Sequence, residues 1–382
     1  MISRIKVVTV GALAGAVLLS ITTAPAASAA GAGYRVVDLG TLPGDVFSEA
    51  MAVNATGTVI AGVSGNLVTG NNAVVWRNGR IAALSRLAGE DPSASNTSTD
   101  VNTSGVVVGS AFPVDTPGCS GCGAAVRWGP NGVASLLAPN YPGSTSATSI
   151  NDRGEVVGWA ALPDGTSQPV RFVNRTVVPI LPRDASGNPA QGFANAISNR
   201  PSGENVVVGY ENTCAVVSCT DSVGAFAVGP PALGGTVALP PLRPNSTGSA
   251  AFAVNADGTR VAGIAYLADP ARGTVVRAVR WVLSTATARP TWRVQDLGGP
   301  ASSPYAVADG ISPDGTVVVG GFNNPDRFQA FWWTAGTGFR SLPVPSTTCD
   351  YGSSGKDVDA ASRIVGWGCP AGQNSTHALL WV

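Results

Sequence analysis

Hydrophobic residues recur along the chain in short β-branched runs separated by turn residues, and no stretch between them has helical periodicity. One phrase appears seven times: a small residue, an apolar residue and Asn, Ser or Asp, then a turn, a β-branched run and a closing glycine. Successive closing glycines lie between 46 and 57 residues apart. Self-similarity at such a period predicts a tandem array in which each copy is one structural unit.

The second half of each copy predicts two further strands. A third strand carries an aromatic residue, and a fourth follows a tight turn such as 77–80 and ends in Leu or Pro. Val, Ile, Trp and Phe suit a pleated, buried surface, and an Asn-x-x-Gly turn is typical of a hairpin. Each copy therefore predicts a four-stranded antiparallel meander, which must stack on its neighbours to bury its faces. The third-strand aromatic residues are Trp76, Trp128, Phe172, Phe226, Trp281, Trp332 and Trp381.

The two ends of the chain decide between an open solenoid and a closed ring. The seventh copy stops at Val382 without a fourth strand, while an unpartnered strand at Tyr34–Gly40 matches the fourth strand of the fifth copy, Trp292–Gly298. The first strand is therefore predicted to complete the last sheet, and closure also hides exposed sheet edges. The sequence predicts an all-β fold, a seven-bladed β-propeller of four-stranded antiparallel blades, with six or eight blades as the alternatives.

The same motifs resemble the HAF-repeat family of extracellular bacterial proteins. The resemblance rests on Asp38–Gly44, the phrase Ile150–Gly158, and the strands Ala330–Trp332 and Ala378–Trp381, and it extends over almost all of residues 30–382. Two copies depart from the pattern: the fourth has a longer turn, and the seventh has Ser362 in place of the turn glycine. The resemblance implies secretion and tandem β-repeats, and it implies no activity or functional residues.

Residues 1–29 predict a cleaved secretory signal. Arg4 and Lys6 precede the apolar run Val7–Ile21, and Ala27–Ala29 has the small-x-small form of a cleavage site. A membrane-anchoring helix is the alternative, but the run is short for a span and no positive stop follows it. Residues 30–382 then form a single propeller domain, and we expect the protein to be extracellular, without a transmembrane segment after cleavage.

Composition removes several function classes. Lys+Arg and Asp+Glu are both 23, so the net charge is zero, and the chain has a single histidine. A neutral chain without a basic run has no electrostatic footprint for nucleic acid. One histidine is a poor basis for histidine catalysis or a multi-histidine metal site. We therefore expect no cofactor, no metal and no nucleic-acid partner.

The six cysteines form three local pairs, which outside the cytoplasm predict disulfides. A zinc or redox role for the Cys-x-x-Cys spacing is disfavoured, because glycines flank that pair and no second ligand pair lies nearby. The predicted disulfide cysteines are Cys119 with Cys122, Cys214 with Cys219, and Cys349 with Cys369.

The long connections of all blades are predicted on one face, because the tight turns join strands one to two and three to four. All six cysteines fall in this set, which suggests either a binding face held by disulfides or loops protected from proteases. The long connections include Ser110–Gly123, Asn140–Ser146, Arg183–Ala194, Tyr210–Val223, Leu267–Thr274 and Pro343–Lys356.

Candidate chemistry is sparse. Asp152, Asp257 and Asp314 sit in hairpin turns that explain them structurally, and His377 has no identified partner for catalysis. The repeated tryptophans are assigned to packing between blades, so the ones that break the repeat are the candidate ligand contacts. These are Trp159, Trp333 and Trp367.

Three functions are consistent with these residues. The first is a secreted, non-catalytic scaffold whose long-connection face binds a protein, a glycan or a cell-wall component. The second is a propeller-fold glycan hydrolase or lyase, although no catalytic carboxylate pair stands out from the turn acids. The third is a purely structural surface protein.

Overall fold

The computed structural model describes most of the chain after the predicted signal. The described residues are 33–66, 70–91, 93–116, 119–184, 186–212, 223–285, 290–300, 302–324, 327–344, 346 and 350–382. The predicted signal at 1–29 and three of the predicted disulfide cysteines, Cys214, Cys219 and Cys349, lie outside them.

The fold is a seven-bladed β-propeller, as predicted, and each blade is one four-stranded antiparallel sheet. Blade I contains β2 (Phe47–Val53), β3 (Val59–Asn66), β4 (Gly70–Arg77) and β5 (Arg80–Ala83). Blade II contains β6 (Ser95–Val101), β7 (Val107–Thr116), β8 (Cys119–Trp128) and β9 (Ala134–Leu136). Blade III contains β10 (Thr145–Ile150), β11 (Val156–Ala161), β12 (Ser167–Val173) and β13 (Thr176–Pro179).

The remaining blades follow the same order. Blade IV contains β14 (Gly192–Ile197), β15 (Val207–Asn212), β16 (Val223–Val228) and β17 (Thr236–Ala238). Blade V contains β18 (Ser246–Val254), β19 (Arg260–Asp269), β20 (Gly273–Ser284) and β21 (Thr291–Asp296). Blade VI contains β22 (Ala306–Ile311), β23 (Val318–Asn324), β24 (Arg327–Thr334) and β25 (Gly338–Ser341). Blade VII contains β26 (Ser353–Val358), β27 (Ile364–Gly368), β28 (His377–Trp381) and β1 (Val36–Asp38).

The described ranges hold one helical element, a 3₁₀ turn at Pro231–Leu233 between β16 and β17. No helix in these ranges is long and apolar enough to cross a membrane.

The ring is closed by the strand from the amino terminus, as predicted. Val36 pairs with Trp381 and Asp38 with Leu379, so β1 is the fourth strand of blade VII. Arg35 and Val382 exchange two backbone hydrogen bonds of 2.7 and 2.8 Å just beyond the strands. Successive first strands touch around the whole ring, which makes them the wall of the central channel.

A β-bulge in the first strand of every blade explains the closing glycines. In all seven sheets the register between strands one and two shifts by one residue opposite the closing glycine. At each of these glycines an added Cβ would overlap a carbonyl oxygen of the first strand. The repeat therefore keeps glycine at this position because the bulge brings the two backbones together.

The repeated tryptophans bind neighbouring blades together, as predicted. Trp76, Trp128, Trp281 and Trp381 are almost fully buried. Each indole Nε1 donates to a backbone carbonyl just after the fourth strand of the preceding blade, on Leu39, Ser85, Pro240 and Pro343 respectively, at 2.8–2.9 Å. The buried indole thus satisfies its polar group while filling the space between blades.

The assignment of Trp332 to this series is wrong by one residue. In blade VI, Phe331 stands opposite the closing Gly320, and Trp333 pairs with Val318, as Trp381 pairs with Ile364 in blade VII. Trp333 is 4% exposed and occupies the repeat position, whereas Trp332 lies on the other side of the strand and packs edge-on against Tyr34. In blade IV, Phe226 stands opposite the closing Gly209, two residues before the repeat position, which Val228 occupies.

The repeated Asn residues make bonds within and between blades. The Asn54 Oδ1 accepts from the backbone N–H groups of its own turn, at Thr58 and Val59. Its Nδ2 donates to the carbonyl of Asn102, the equivalent residue of blade II. Asn102 donates in the same way to Asn151, and Asn151 to Ser198. The phrase therefore caps its hairpin and also joins blades I to IV along one face.

Replacing Ser362 with glycine is expected to stabilise the protein by about 0.5–1 kcal/mol. Ser362 occupies the turn position of blade VII with φ of 63°, which an L-residue adopts at a cost and glycine adopts freely. Thermal unfolding of Ser362→Gly against the wild type measures this. A lower unfolding temperature would contradict it.

Candidate functional site

The two faces of the ring differ in their connections. The turns from strand one to two and from three to four form the tight-turn face, and the remaining connections form the long-connection face. Two of the predicted loops on that face are mostly strand. In the predicted loop Ser110–Gly123, β7 continues to Thr116 and β8 begins at Cys119. In Leu267–Thr274, β19 continues to Asp269 and β20 begins at Gly273.

The hairpin of blade II carries a disulfide on this face. Cys119 and Cys122 are bonded, as predicted. The Asp115 carboxylate accepts from the Ser120 hydroxyl and the Gly121 N–H in the same hairpin. Cys369 is also disulfide-bonded, while its predicted partner Cys349 lies outside the described residues. Disulfides thus fix at least one hairpin of this face.

Aromatic side chains gather at the long-connection ends of blades III to V. The Trp159 ring lies edge-on to Phe193 at 5.7 Å between centroids, and Phe193 stacks on Tyr210 at 5.2 Å. Tyr210 and Tyr266 pack against one apolar cluster. Burial, with a smaller contribution from Tyr266, raises the pKa of the Tyr210 phenol, which therefore stays a neutral hydrogen-bonding group. These four residues are half-buried.

The aromatic series continues through blades VI and VII. Val276 pairs with Tyr266 on one side and with Tyr305 on the other, so it links the two groups. Tyr305 is 37% exposed and lies 6.1 Å from Phe328, which stacks on Trp367 at 6.5 Å with ring planes 12° apart. We name the whole series the aromatic arc; its members are Trp159, Phe193, Tyr210, Tyr266, Tyr305, Phe328 and Trp367.

Two of the three candidate tryptophans are the two ends of this arc. Trp159 and Trp367 each follow a closing glycine directly, and so does Tyr210. That shared place in the repeat was a signal that could have identified Tyr210. The third candidate, Trp333, is buried between blades and does not join the arc. The other arc residues come from unrelated repeat positions and are brought together by strand pairing.

The bulged residues of the first strands line the channel wall, and all seven are half-buried. Thr99 and Thr148 each donate to a first-strand carbonyl of the next blade, at 2.9 and 2.7 Å. Asn195 does the same through its amide. These hydrogen bonds join the first strands of blades II to V on one side of the channel. The bulged residues are Met51, Thr99, Thr148, Asn195, Phe252, Asp309 and Lys356.

Charged groups meet on the other side of the channel wall. The Lys356 Nζ lies 3.4 Å from the Asp309 Oδ2, which also accepts from the Ser354 hydroxyl. Burial raises the pKa of the Asp309 carboxyl, and Lys356 opposes the shift. Burial likewise raises the pKa of Glu49, which Lys356 also opposes. The Lys356 ammonium group is thus paired with the carboxyl of blade VI and acts electrostatically on the carboxyl of blade I.

Two half-buried aspartates, Asp100 and Asp357, occupy equivalent positions in blades II and VII. Asp100 accepts from the Ser149 hydroxyl and the Ile150 N–H of blade III. Asp357 accepts from the Val53 N–H of blade I at 2.9 Å. Burial raises the pKa of Asp357 to about 7, with a further upward contribution from Asp100. Both carboxyls connect adjacent blades, which gives them a structural role.

The one histidine lies at the ring closure. The His377 Nδ1 is 2.9 Å from the Asp38 carboxylate, so β28 and β1 are paired through side chains as well. Burial acts to raise the pKa of Asp38, but the hydrogen bonds from His377 and the Gly40 N–H outweigh it and lower the pKa. Within the described ranges, no group of three or more His, Cys, Asp or Glu side chains could hold a metal ion.

Several solved structures are similar to this chain over most of its length. An oligogalacturonate lyase from Vibrio parahaemolyticus is similar at a TM-score of 0.53 and 10% identity, over 91% of this chain and 93% of that one. The Dos1 propeller is similar at a TM-score of 0.47 and 12% identity, over 91% and 94% of the two chains. The β-propeller domain of the Trilobed protease from Pyrococcus furiosus gives 0.47 and 12%, over 88% and 94%. No family model and no curated protein matches the sequence.

Proposed function

We propose that this protein is a secreted scaffold that binds a glycan-containing or protein partner of the cell surface through the aromatic arc. The observation that carries the proposal is the arc itself, which runs across five successive blades on one face. Six of its residues are half-buried and therefore held in place while part of each remains accessible, and the seventh, Tyr305, is exposed. Fixed rings that carry hydroxyl or indole N–H groups suit ligands with both apolar and polar faces.

The proposed location outside the cytoplasm has support from the disulfides. The Cys119–Cys122 bond and the bonded state of Cys369 fit an oxidising compartment. Membership of the HAF-repeat family remains part of the proposal, supported by the repeated phrases and the strand that closes the ring.

Binding is tested with the purified protein lacking residues 1–29, against a panel of cell-wall polymers and soluble glycans. We expect Trp159→Ala and Trp367→Ala each to weaken binding at least about tenfold, because an aromatic anchor is worth about 1.4 kcal/mol or more. Isothermal titration calorimetry measures the loss.

Trp292→Ala is the matched control. Trp292 is half-buried like the arc tryptophans, but it lies on β21 at the outer edge of blade V. Equal losses from Trp292→Ala and Trp159→Ala would contradict the assignment of binding to the arc. Failure of the wild-type protein to bind any polymer of the panel would contradict the proposed function.

A second candidate function, a glycan hydrolase or lyase, is favoured by the channel carboxyls. Lys356 forms an ion pair with Asp309 and also opposes the rise in the pKa of Glu49, and burial raises the pKa of both carboxyls. Glycoside hydrolysis uses such a pair of carboxyls, one of which must be protonated. Incubation with oligogalacturonate and other glycans tests this function. Shortened products from the wild type but not from Glu49→Gln would favour it over simple binding.

A further inference from the structure

A half-open cavity of about 380 Å³ lies between blades II and III on the tight-turn face, opposite the aromatic arc. Its volume falls in the range of small-molecule sites, roughly 300–1,000 Å³. None of its lining residues is acidic, and three of them are arginines: Arg127, Arg153 and Arg175. The excess of positive charge points to an anion.

Arg127 is the central group of this cavity. It lies on β8, and its Nε is buried without a hydrogen-bond partner. Its guanidinium forms no hydrogen bond or ion pair with any residue of the described ranges. A buried N–H without a partner is costly, so the Arg127 Nε has an unmet requirement for an acceptor.

The repeat supplies an internal comparison in blades V and VI. Arg280 occupies the position of Arg127, because it pairs with Gln295 as Arg127 pairs with Ser135. The Arg280 Nε is buried without a hydrogen-bond partner, as in Arg127, but its Nη groups donate to the Gly315 carbonyl and the Gln295 side chain. The Arg280 guanidinium also lies 4.6 Å over the Trp333 ring. The residue equivalent to Trp333 in blade III is Phe172, which lines the cavity. Phe172 has a smaller ring than Trp333, and Ser135 is shorter than Gln295. Space that is filled between blades V and VI is therefore open between blades II and III.

The turn beside the cavity also departs from the repeat. In blade I the turn from strand three to four is Asn78–Gly79, with both residues at positive φ. In blade III the same place holds Asn174 and Arg175, and Arg175 adopts φ of 64°. An arginine in a conformation that favours glycine is strained, and such strain is often kept at functional sites. Its charge then adds to that of Arg127.

Nearby carboxylates are engaged elsewhere. Asp152 accepts from the Thr103 N–H and the Asn199 amide, and Glu155 accepts from the amides of Asn151 and Asn205. Arg153 donates through Nη2 to the Pro201 carbonyl. Arg127 and Arg175 are therefore the cations left to bind a ligand.

We propose that this cavity binds an oxyanion carried on a group about the size of a monosaccharide. Arg127 and Arg175 take the carboxylate, phosphate or sulfate oxygens, and the Phe172 ring with Leu136 and Leu137 contacts the apolar face of the group. The site is separate from the aromatic arc and does not depend on the function proposed for it.

Isothermal titration at low ionic strength with inorganic phosphate, inorganic sulfate, glucuronate and glucose tests the proposal. We expect at least one oxyanion to bind with one-to-one stoichiometry, more weakly as salt is added, and glucose not to bind. Tighter binding of glucuronate identifies a sugar carboxylate as the source, and tighter binding of phosphate or sulfate identifies an ester.

Two variants and one control decide the location. Arg127→Gln is expected to weaken oxyanion binding at least about tenfold, since hydrogen bonds to charged groups contribute about 1.5–3 kcal/mol. Phe172→Trp, which copies blade VI, should narrow the cavity beside Arg127 and weaken binding without lowering the unfolding temperature. Arg280→Gln removes the equivalent arginine, whose Nη groups are hydrogen-bonded within the protein, and should leave binding unchanged. Absence of oxyanion binding to the wild type, or equal losses from Arg127→Gln and Arg280→Gln, would overturn the proposal; Trp159→Ala should not affect it.

Discussion

Gly158→Ala is expected to destabilise the protein by about 3 kcal/mol or more. Gly158 stands opposite the bulge of blade III, where an added Cβ would overlap the Ser146 carbonyl oxygen. Both atoms belong to paired backbone, so neither strand can yield without breaking its hydrogen bonds. Chemical denaturation of the variant and the wild type measures the difference in free energy of unfolding.

Gly336→Ala is the control for this effect. Gly336 lies in the turn between β24 and β25, and an added Cβ there meets nothing within 4 Å. We expect a change within about 0.5 kcal/mol, as for other surface substitutions. If Gly158→Ala were as mild as Gly336→Ala, the bulge would not be the reason for the repeated glycine.

Asp357→Asn is expected to stabilise the protein at neutral pH by about 3 kcal/mol. Burial and the neighbouring Asp100 raise the pKa of Asp357 to about 7, against about 3.9 in an unfolded chain. Three pKa units correspond to about 4 kcal/mol, and the amide gives up about 1 kcal/mol with one lost backbone hydrogen bond.

The sign of the pH dependence follows from linkage. Because the folded state holds the proton more tightly, the contribution of Asp357 to stability is fully present below about pH 4. It is lost as the pH rises towards 7. Wild-type stability should therefore fall across this range relative to Asp357→Asn. Urea denaturation of both proteins between pH 4 and 8 measures the difference.

Glu204→Gln serves as the control for loss of a negative charge, because Glu204 is exposed and lies in the connection between β14 and β15. The free energy of unfolding of Glu204→Gln should follow that of the wild type between pH 4 and 8. Parallel curves for Asp357→Asn and the wild type would show that Asp357 is ionised in the folded protein at the same pH as in the unfolded chain.

The architecture was predictable because its determinants are local and repeated. The turn phrase fixes one hairpin per blade, and the missing fourth strand at Val382 together with the spare strand at Tyr34 fixes the closure. The register in blade VI was not predictable, because Phe331, Trp332 and Trp333 are three consecutive aromatic residues. Which of them faces Gly320 is decided by pairing across strands.

The candidate sites were only partly predictable for a related reason. Trp159 and Trp367 were found as departures from the repeat, but Phe193 and Phe328 join them through contacts between blades that no local pattern encodes. The cavity at Arg127 depends on the volume of the side chains around it, which no local sequence pattern encodes. Phe172 was visible in the sequence as one more third-strand aromatic residue, and its smaller ring matters only because of the space that Trp333 fills elsewhere.

The joining of both chain ends in blade VII has a consequence for how the molecule could be rewired. Arg35 and Val382 are bonded neighbours, so a short linker could bridge these ends without crossing the channel. Circular permutants opened at an exposed hairpin tip, such as Asn78–Gly79, would then keep all seven sheets. In those permutants, the sheet closed by β1 would become an ordinary continuous meander, and the seam of the ring would move to another blade.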